Sequence, residues 1–167
     1  MDGSIVTIRR IGVDDVAAFR RIRLEALREE PLAYASSYED SVVLTDEDWR
    51  SRMREPVLAA FRGDEPVGLA GLVRQGPSKM AHRASIVMVY VRKSLRGTGV
   101  ADGLIDAVIE EARAMGIVQL ELAVTAENRS AVRFYERKGF AEIGRVPGAL
   151  MHEGREIDDL MMARRIG

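Results

Sequence analysis

An α+β fold around one mixed sheet is predicted by two features of the sequence. The first is the segment VLAAFRGDEPVGLAGLV, Val57 to Val73, which reads as two apolar strands joined by a turn over Gly63 to Pro66. The second is the alternation, from Arg83 onward, of β-branched runs with helical patterns, which builds strand-helix-strand units. An early antiparallel hairpin followed by crossovers implies a mostly antiparallel sheet of about seven strands, flanked by about four helices.

The elements follow in order. Ser4 to Arg9 reads as a first strand. Asp14 and Asp15 open a helix on which Val13, Val16, Ala17, Leu24 and Leu27 fall near helical spacing; Arg20 shares that stripe and Pro31 ends it. Thr45 caps a short helix through Met53, with acidic residues in its first turn as the helix dipole prefers. RASIVMVYV, Arg83 to Val91, is a β-branched run suited to a central strand. From Gly99 to Met115, Val100, Leu104, Val108 and Ala112 recur every four residues, with Ala101, Ile105 and Ile109 beside them and Gly116 as the stop. VQLELAV is the next strand and Asn128 to Lys138 the next helix, closed by Gly139. Phe140 to Arg145 and Ile157 to Ala163 complete the sheet.

Composition bounds the function. The 167 residues fit one domain, 1–167, large enough to bury a core. Hydrophobic residues make up 47% and charged residues 31%, a globular balance. A net charge of -1 provides no overall field for nucleic acid or an anionic membrane. The chain has no cysteine, which removes disulfides, thiolate nucleophiles and cysteine-based metal sites. His82 and His152 lie far apart without ligand spacing, so no metal is expected. No apolar run reaches the ~18 residues of a membrane span, and MDGSIVTIRR is not a leader, so a cytoplasmic protein is expected.

The turn SLRGTGVA, Ser94 to Ala101, joins the central strand to the helix after it. Such a turn points several backbone N–H groups at the positive end of the helix dipole, where an anion, most naturally a phosphate, is held. Glycine lets the backbone approach without a Cβ in the way, and Arg96 adds charge. A P-loop would place a lysine and a hydroxyl after the second glycine, where Val100 and Ala101 stand. A dinucleotide fingerprint would place a third small residue at Asp102. Neither motif fits, and a bare GTG is also compatible with a plain connector.

Downstream lies NRSAVRFYERKGF, Asn128 to Phe140. Together with VYVRKSLRGTGVA it resembles the GNAT superfamily of acyl-CoA-dependent N-acyltransferases. Arg96, Gly99 and Ala101 match that family's pyrophosphate loop, [QR]-x-x-G-x-[GA]. Asn128, Ala131, Phe134, Tyr135, Gly139 and Phe140 match its helical motif, N-x-x-A-x-x-[FL]-Y-x-x-x-G-F. The likeness is close over Ala84 to Gly144. It is looser in RIRLEALREEPLAYASSYED, like the first helix and loop of many members, and in the tail HEGREIDDLMM.

The resemblance implies a GNAT-like sheet splayed at the cofactor site, with acetyl-CoA as co-substrate. The backbones of Val89 and Val91 would pair with the pantetheine arm, as an added strand does with an open edge. The N–H groups of Arg96, Gly97, Thr98, Gly99, Val100 and Ala101 would hold the pyrophosphate, with Arg92, Lys93 or Arg96 assisting; for Arg92 and Lys93, surface solvation is the alternative. Asn128 and Tyr135 are seven residues apart on one helical face. By resemblance Asn128 would bond the pantetheine region and Tyr135 would be the general acid at the sulfur; alone they would read as a cap and a core aromatic.

The reaction implied is attack of a neutral amine on the acetyl carbon, releasing an amide and free CoA. In the ribosomal-protein N-terminal acetyltransferases of this superfamily a glutamate five positions before the motif asparagine is the base; here that position is Ala123. Glu121, two residues earlier on the same strand face, is the substitute, acting through water; an exposed strand carboxylate is the alternative. A base this weak suits an α-amine of pKa about 8 better than a lysine-like amine near 10.4. A small α-amino compound or a peptide N-terminus is therefore the expected acceptor. Arg20 or Arg23, Ser36, Ser37, Tyr38 and Tyr90 are candidates to bind it, an arginine pairing with an acceptor carboxylate or snorkelling to the surface. Two rival readings are an acetyl-CoA sensor without turnover, against which Tyr135 argues, and transfer of a longer acyl group. A homodimer is left open.

Overall fold

The computed structural model describes residues 5–167. Seven strands form one sheet in the order β1-β2-β3-β4-β5-β7-β6. They are β1 (Val6–Arg10), β2 (Val57–Arg62), β3 (Glu65–Arg74), β4 (Arg83–Val91), β5 (Gln119–Thr125), β6 (Ala141–His152) and β7 (Arg155–Arg165). All neighbours are antiparallel except β4 and β5. This is the mixed, mostly antiparallel sheet expected, although Ser4 of the first strand lies outside the described residues. The β2–β3 turn is tight because Gly63 takes φ +62, a conformation that L side chains rarely adopt.

Five α-helices are found among the described residues: α1 (Val16–Glu29), α2 (Tyr38–Val42), α3 (Asp46–Arg52), α4 (Val100–Ala114) and α5 (Arg129–Arg137). Thr45 caps α3 as expected, accepting from the Asp48 N–H while the Asp48 carboxylate accepts from the Thr45 N–H. The single turn of α2 was not anticipated. Its N-cap is Ser37, whose hydroxyl accepts from the Asp40 N–H at 3.0 Å.

The helices cover opposite faces of the sheet and make two separate cores. On one face α4 buries Val100, Leu104, Ile105, Val108 and Ile109 against Leu72, Ile86 and Leu120, and Tyr135 of α5 joins them. On the other face Phe19, Ile22 and Ala26 of α1 pack with Trp49 of α3 against Ala59, Phe61 and Leu69. The Phe19 and Trp49 rings meet edge to face at 5.3 Å.

The phase of α1 corrects the sequence reading. Leu27 is buried and Val16 and Leu24 pack at the margin of the core, as expected, but the centre of the buried stripe is Phe19, Ile22, Arg23 and Ala26, whereas Val13 is exposed and Ala17 faces outward. Arg23, rather than Arg20, occupies the buried face. β6 also runs well past the expected Arg145, as an edge strand with Ile143 and Met151 exposed.

The close approach of β3 to β4 depends on Gly68. A Cβ there would stand 2.9 Å from the Tyr90 carbonyl oxygen and 3.1 Å from Leu104 Cδ1. Gly68→Ala is expected to destabilise the fold by about 1–3 kcal/mol, because backbone has to shift to admit the methyl. A lowered urea midpoint with an unchanged slope is the check.

Candidate active site

The parallel pair holds together only at its start. Arg83, Ala84 and Ser85 of β4 pair with Gln119, Leu120 and Glu121 of β5, and the two strands then run on without pairing to Val91 and Thr125. Backbone groups along this fork need partners from elsewhere. On the other side of β4 the register slips between Leu69 and Gly71, leaving Met88 and Val89 without a partner in β3 either. Met88 takes φ 59 in this bulge, a left-handed conformation that is strained for a non-glycine residue.

The fork opens into a cleft of about 500 Å³ that runs from Gly97 and Ala101 past Asn128 and Phe134 to Tyr135. A smaller space of about 100 Å³ continues inward between Val87 and Met88 on one side and Leu122 and Ala123 on the other.

The outer end of the cleft is a set of free donors. Gly97 and Gly99 have φ +76 and +93, and Gly99 caps α4. In the turn, Arg96 N donates to Lys93 O and Thr98 N to Leu95 O. No described carbonyl accepts the N–H groups of Gly97, Gly99, Val100 or Ala101. Four donors thus gather at the positive end of a 15-residue helix. The two expected donors Arg96 N and Thr98 N are already used within the turn, and the Thr98 hydroxyl bonds Leu95 O.

Two of the three cationic side chains expected at this end, Arg92 and Arg96, are committed, while Lys93 is exposed. Arg92 pairs with Glu25 at 2.8 Å and with Glu65, so it is part of a structural network rather than a free phosphate ligand. Arg96 donates from Nε to Val91 O at 3.1 Å and from Nη2 to Glu30 at 2.6 Å. The Val91 carbonyl is therefore capped by Arg96, and the Val89 carbonyl by the Tyr34 hydroxyl at 2.7 Å. A ligand pairing with this edge meets N–H groups unless it displaces those caps.

Tyr135 and Asn128 both line the cleft, as the motif implied. Asn128 caps α5 through Oδ1, which accepts from Ala131 N and Ser130 Oγ, both at 3.2 Å; its amide nitrogen is left for another partner. The Tyr135 ring packs edge to face with Phe134 and Phe140. Its hydroxyl has no hydrogen-bond partner among the described residues, and burial pushes its pKa up, so the phenol stays protonated at neutral pH.

Glu121, the residue expected as base, is tied into the sheet. Glu121 is buried, takes Nε and Nη2 of Arg83, the latter at 2.7 Å, and accepts from Gln119 Nε2 at 2.8 Å. The Arg83 bonds hold its carboxyl below the usual range, and it does not line the cleft. Such a carboxylate is a poor proton acceptor.

The acceptor candidates are scattered. Arg20 donates to Val42 O at 3.3 Å and ties α2 to α1; Ser37 is a cap; Tyr38 lies on α2. None of the three lines the cleft. Tyr90 does touch it, but its hydroxyl donates to Glu25 at 3.0 Å. The residue missed was Tyr34, which lines both parts of the cleft. Its only signal in the sequence was its place in the loop after α1.

Residues 20–140 match the model of the acetyltransferase (GNAT) family, and the chain belongs to that family. A mycothiol acetyltransferase of Brachybacterium faecium is 29% identical over 78% of this chain and 39% of its own length. An L-methionine sulfoximine/L-methionine sulfone acetyltransferase of Pseudomonas aeruginosa is 31% identical over 66% of this chain. This chain spans 65% of that relative. The structure of yncA from Salmonella typhimurium, with its cofactor acetyl-CoA, superposes with TM-score 0.83 and 21% identity, covering 98% of this chain and 95% of that one, a likeness of fold.

Glu121→Gln tests the structural weight of the Arg83–Glu121 pair. Loss of the charge-assisted bonds is expected to lower stability by about 1–3 kcal/mol. Because the folded-state carboxyl is held below its ordinary value, its contribution is full above about pH 4.3 and fades as pH falls further. Denaturant melts of both proteins at pH 7 and pH 3 read the difference, which should shrink at the lower pH.

Proposed function

We propose that this chain is an acetyl-CoA-dependent N-acetyltransferase whose acceptor is a small molecule carrying an α-amine. The observation that carries this reading is the open β4–β5 fork, walled by Asn128 and Tyr135 and ending at four unused N–H groups at the start of α4. The free amides of Gly97, Gly99, Val100 and Ala101 suit a pyrophosphate, and the cleft leading inward suits an extended arm. The space of about 100 Å³ at its inner end favours an acetyl group over a long acyl chain.

Acetyl-CoA brings the activated acyl group as a thioester. The residues of this chain then have three tasks. The α4 N-terminus and the Asn128 amide fix the donor, the N–H of Val89 faces the thioester oxygen and stabilises the charge that gathers there, and Tyr135 delivers its proton to the departing thiolate. Protonation of Tyr135 over the working pH range supports its role as the acid. Two carboxylates line the cleft: Glu30 is paired with Arg96 and Glu127 with Arg155. The amine proton then passes to water, which suffices for an amine with pKa near 8 and poorly serves one near 10.4.

L-methionine sulfoximine and the sulfone, named for the Pseudomonas relative, each carry one α-amino group, which supports this acceptor class. The direct experiment is release of free CoA thiol from acetyl-CoA with a panel of amino acids, other amines and peptides. Release with α-amino compounds is expected; binding of acetyl-CoA without release in any mixture would make the chain a sensor.

Two substitutions examine the ends of the cleft. Ala101→Glu puts a carboxylate where the helix dipole tolerates it but an anion does not, so the fold is kept and CoA affinity is expected to fall at least tenfold, about 1.4 kcal/mol, by calorimetry. Tyr135→Phe keeps the ring and removes the proton donor. Its kcat is expected to fall about 10²- to 10⁴-fold with acetyl-CoA binding retained. The deficit should narrow for acyl donors with more acidic thiols; equal turnover of the variant and the parent would remove the acid role.

A further inference from the structure

The bulge of β4 is held from outside the sheet. Met88 and Val89 have no register partner in β3 or β5, and Met88 is in a left-handed conformation that only surrounding structure can maintain. Among the described residues, the one side-chain bond to this pair is from the loop after α1. Tyr34 Oη donates to Val89 O at 2.7 Å. In an extended residue the N–H and C=O point to the same side, so fixing the Val89 carbonyl also orients its N–H.

Tyr34 is itself braced. The Arg23 guanidinium lies 4.6 Å from the centre of the Tyr34 ring. Arg23 is only 6% exposed, its Nη1 has no hydrogen-bond partner, and no described carboxylate forms an ion pair with it. A buried cation without a counterion is costly, and burial pulls its pKa down to about 10. The negative face of the phenol ring is the main compensation for its charge. In return the cation draws density from the ring and strengthens the O–H as a donor. Burial also pushes the Tyr34 pKa up, which keeps that proton in place.

We propose that Tyr34, braced by Arg23, is a positioning residue for acyl transfer: its hydroxyl holds the Val89 backbone so that the bulge N–H meets the thioester oxygen. This rests on the reading that acetyl-CoA lies in the fork. Tyr34 touches no reacting atom in this role; it acts through the peptide it fixes. By occupying the Val89 carbonyl it also leaves the N–H as the free polar group of that residue.

The test is Tyr34→Phe, which keeps the ring and the stack with Arg23. Acetyl-CoA affinity by calorimetry should change less than about twofold, while kcat falls roughly 10- to 100-fold, less than for direct loss of an oxyanion donor. The deficit should be the same for donors with weakly and strongly acidic thiols, unlike that of Tyr135→Phe, because it concerns the carbonyl oxygen and not the leaving group. The amide ¹⁵N signal of Val89 should move in the unliganded variant while those of Gly99 and Ala101 stay. Arg23→Gln should lower kcat in the same donor-independent way, and Arg23→Lys should recover part of it. Parental kcat in Tyr34→Phe, or a loss confined to acetyl-CoA affinity, overturns the positioning role. Failure of the parent protein itself to turn over acetyl-CoA with any amine overturns the acyltransfer reading and the role with it, whereas an active parent with an indifferent Tyr34→Phe overturns the role alone.

Discussion

Everything at the site depends on two parallel strands parting after three residue pairs. Backbone N–H and C=O groups inside a protein have to be satisfied, and a sheet normally does this by continuing its ladder. Here the ladder stops at Ser85 and Glu121 while both strands continue, so the fork presents polar backbone to whatever enters it. An extended ligand with its own amides can complete what the missing strand pairs leave open. The Arg83–Glu121 pair sits at the closed end of the fork, with Gln119 adding a third bond. That clasp ties β4 to β5 where their pairing ends, which explains why a carboxylate so near the cleft is committed to structure.

The same economy of partners runs along the rim. Arg96 caps Val91 O and is itself held by Glu30; Tyr34 caps Val89 O and carries Arg23 on its ring. Glu30 and Tyr34 both belong to the segment that follows α1. One short stretch of chain therefore reaches over to steady two successive outward-facing groups of β4. The Tyr135 phenol is buried without a partner among the described residues, so its one polar atom, like the Asn128 amide nitrogen and the N–H groups at the start of α4, is left to the cleft.

Legibility in the sequence followed the range of the interactions. The α4 stripe of Val100, Leu104, Val108 and Ala112 and the shared helical face of Asn128 and Tyr135 are local patterns, and each was readable from spacing alone. The α1 stripe was readable only in part: Val16, Leu24 and Leu27 do pack inward, but Val13 and Ala17 extend the apolar pattern onto the exposed side, and a buried arginine interrupts the central Phe19, Ile22 and Ala26. β6 was cut short because an edge strand exposed on both faces loses the period-two signal. Tyr34 and Val89 are 55 residues apart, and Arg83 and Glu121 are 38 apart. Contacts of that kind leave no trace in residue spacing, so neither the Arg83 partner of Glu121 nor the place of Tyr34 in the cleft was legible.

The two cores packed on opposite faces of the sheet share a backbone but almost no side chains. The face under α4 and α5 carries the loop and helix that match the family motifs. The face under α1 and α3 carries Phe19, Trp49 and the buried Arg23. The two cores still meet at β4: Glu25 of α1 holds Arg92, Glu30 holds Arg96, and Tyr34 holds the Val89 carbonyl. A close-packed interior passes strain on to its neighbours, so a volume change beneath α1 is felt along the rim of the cleft.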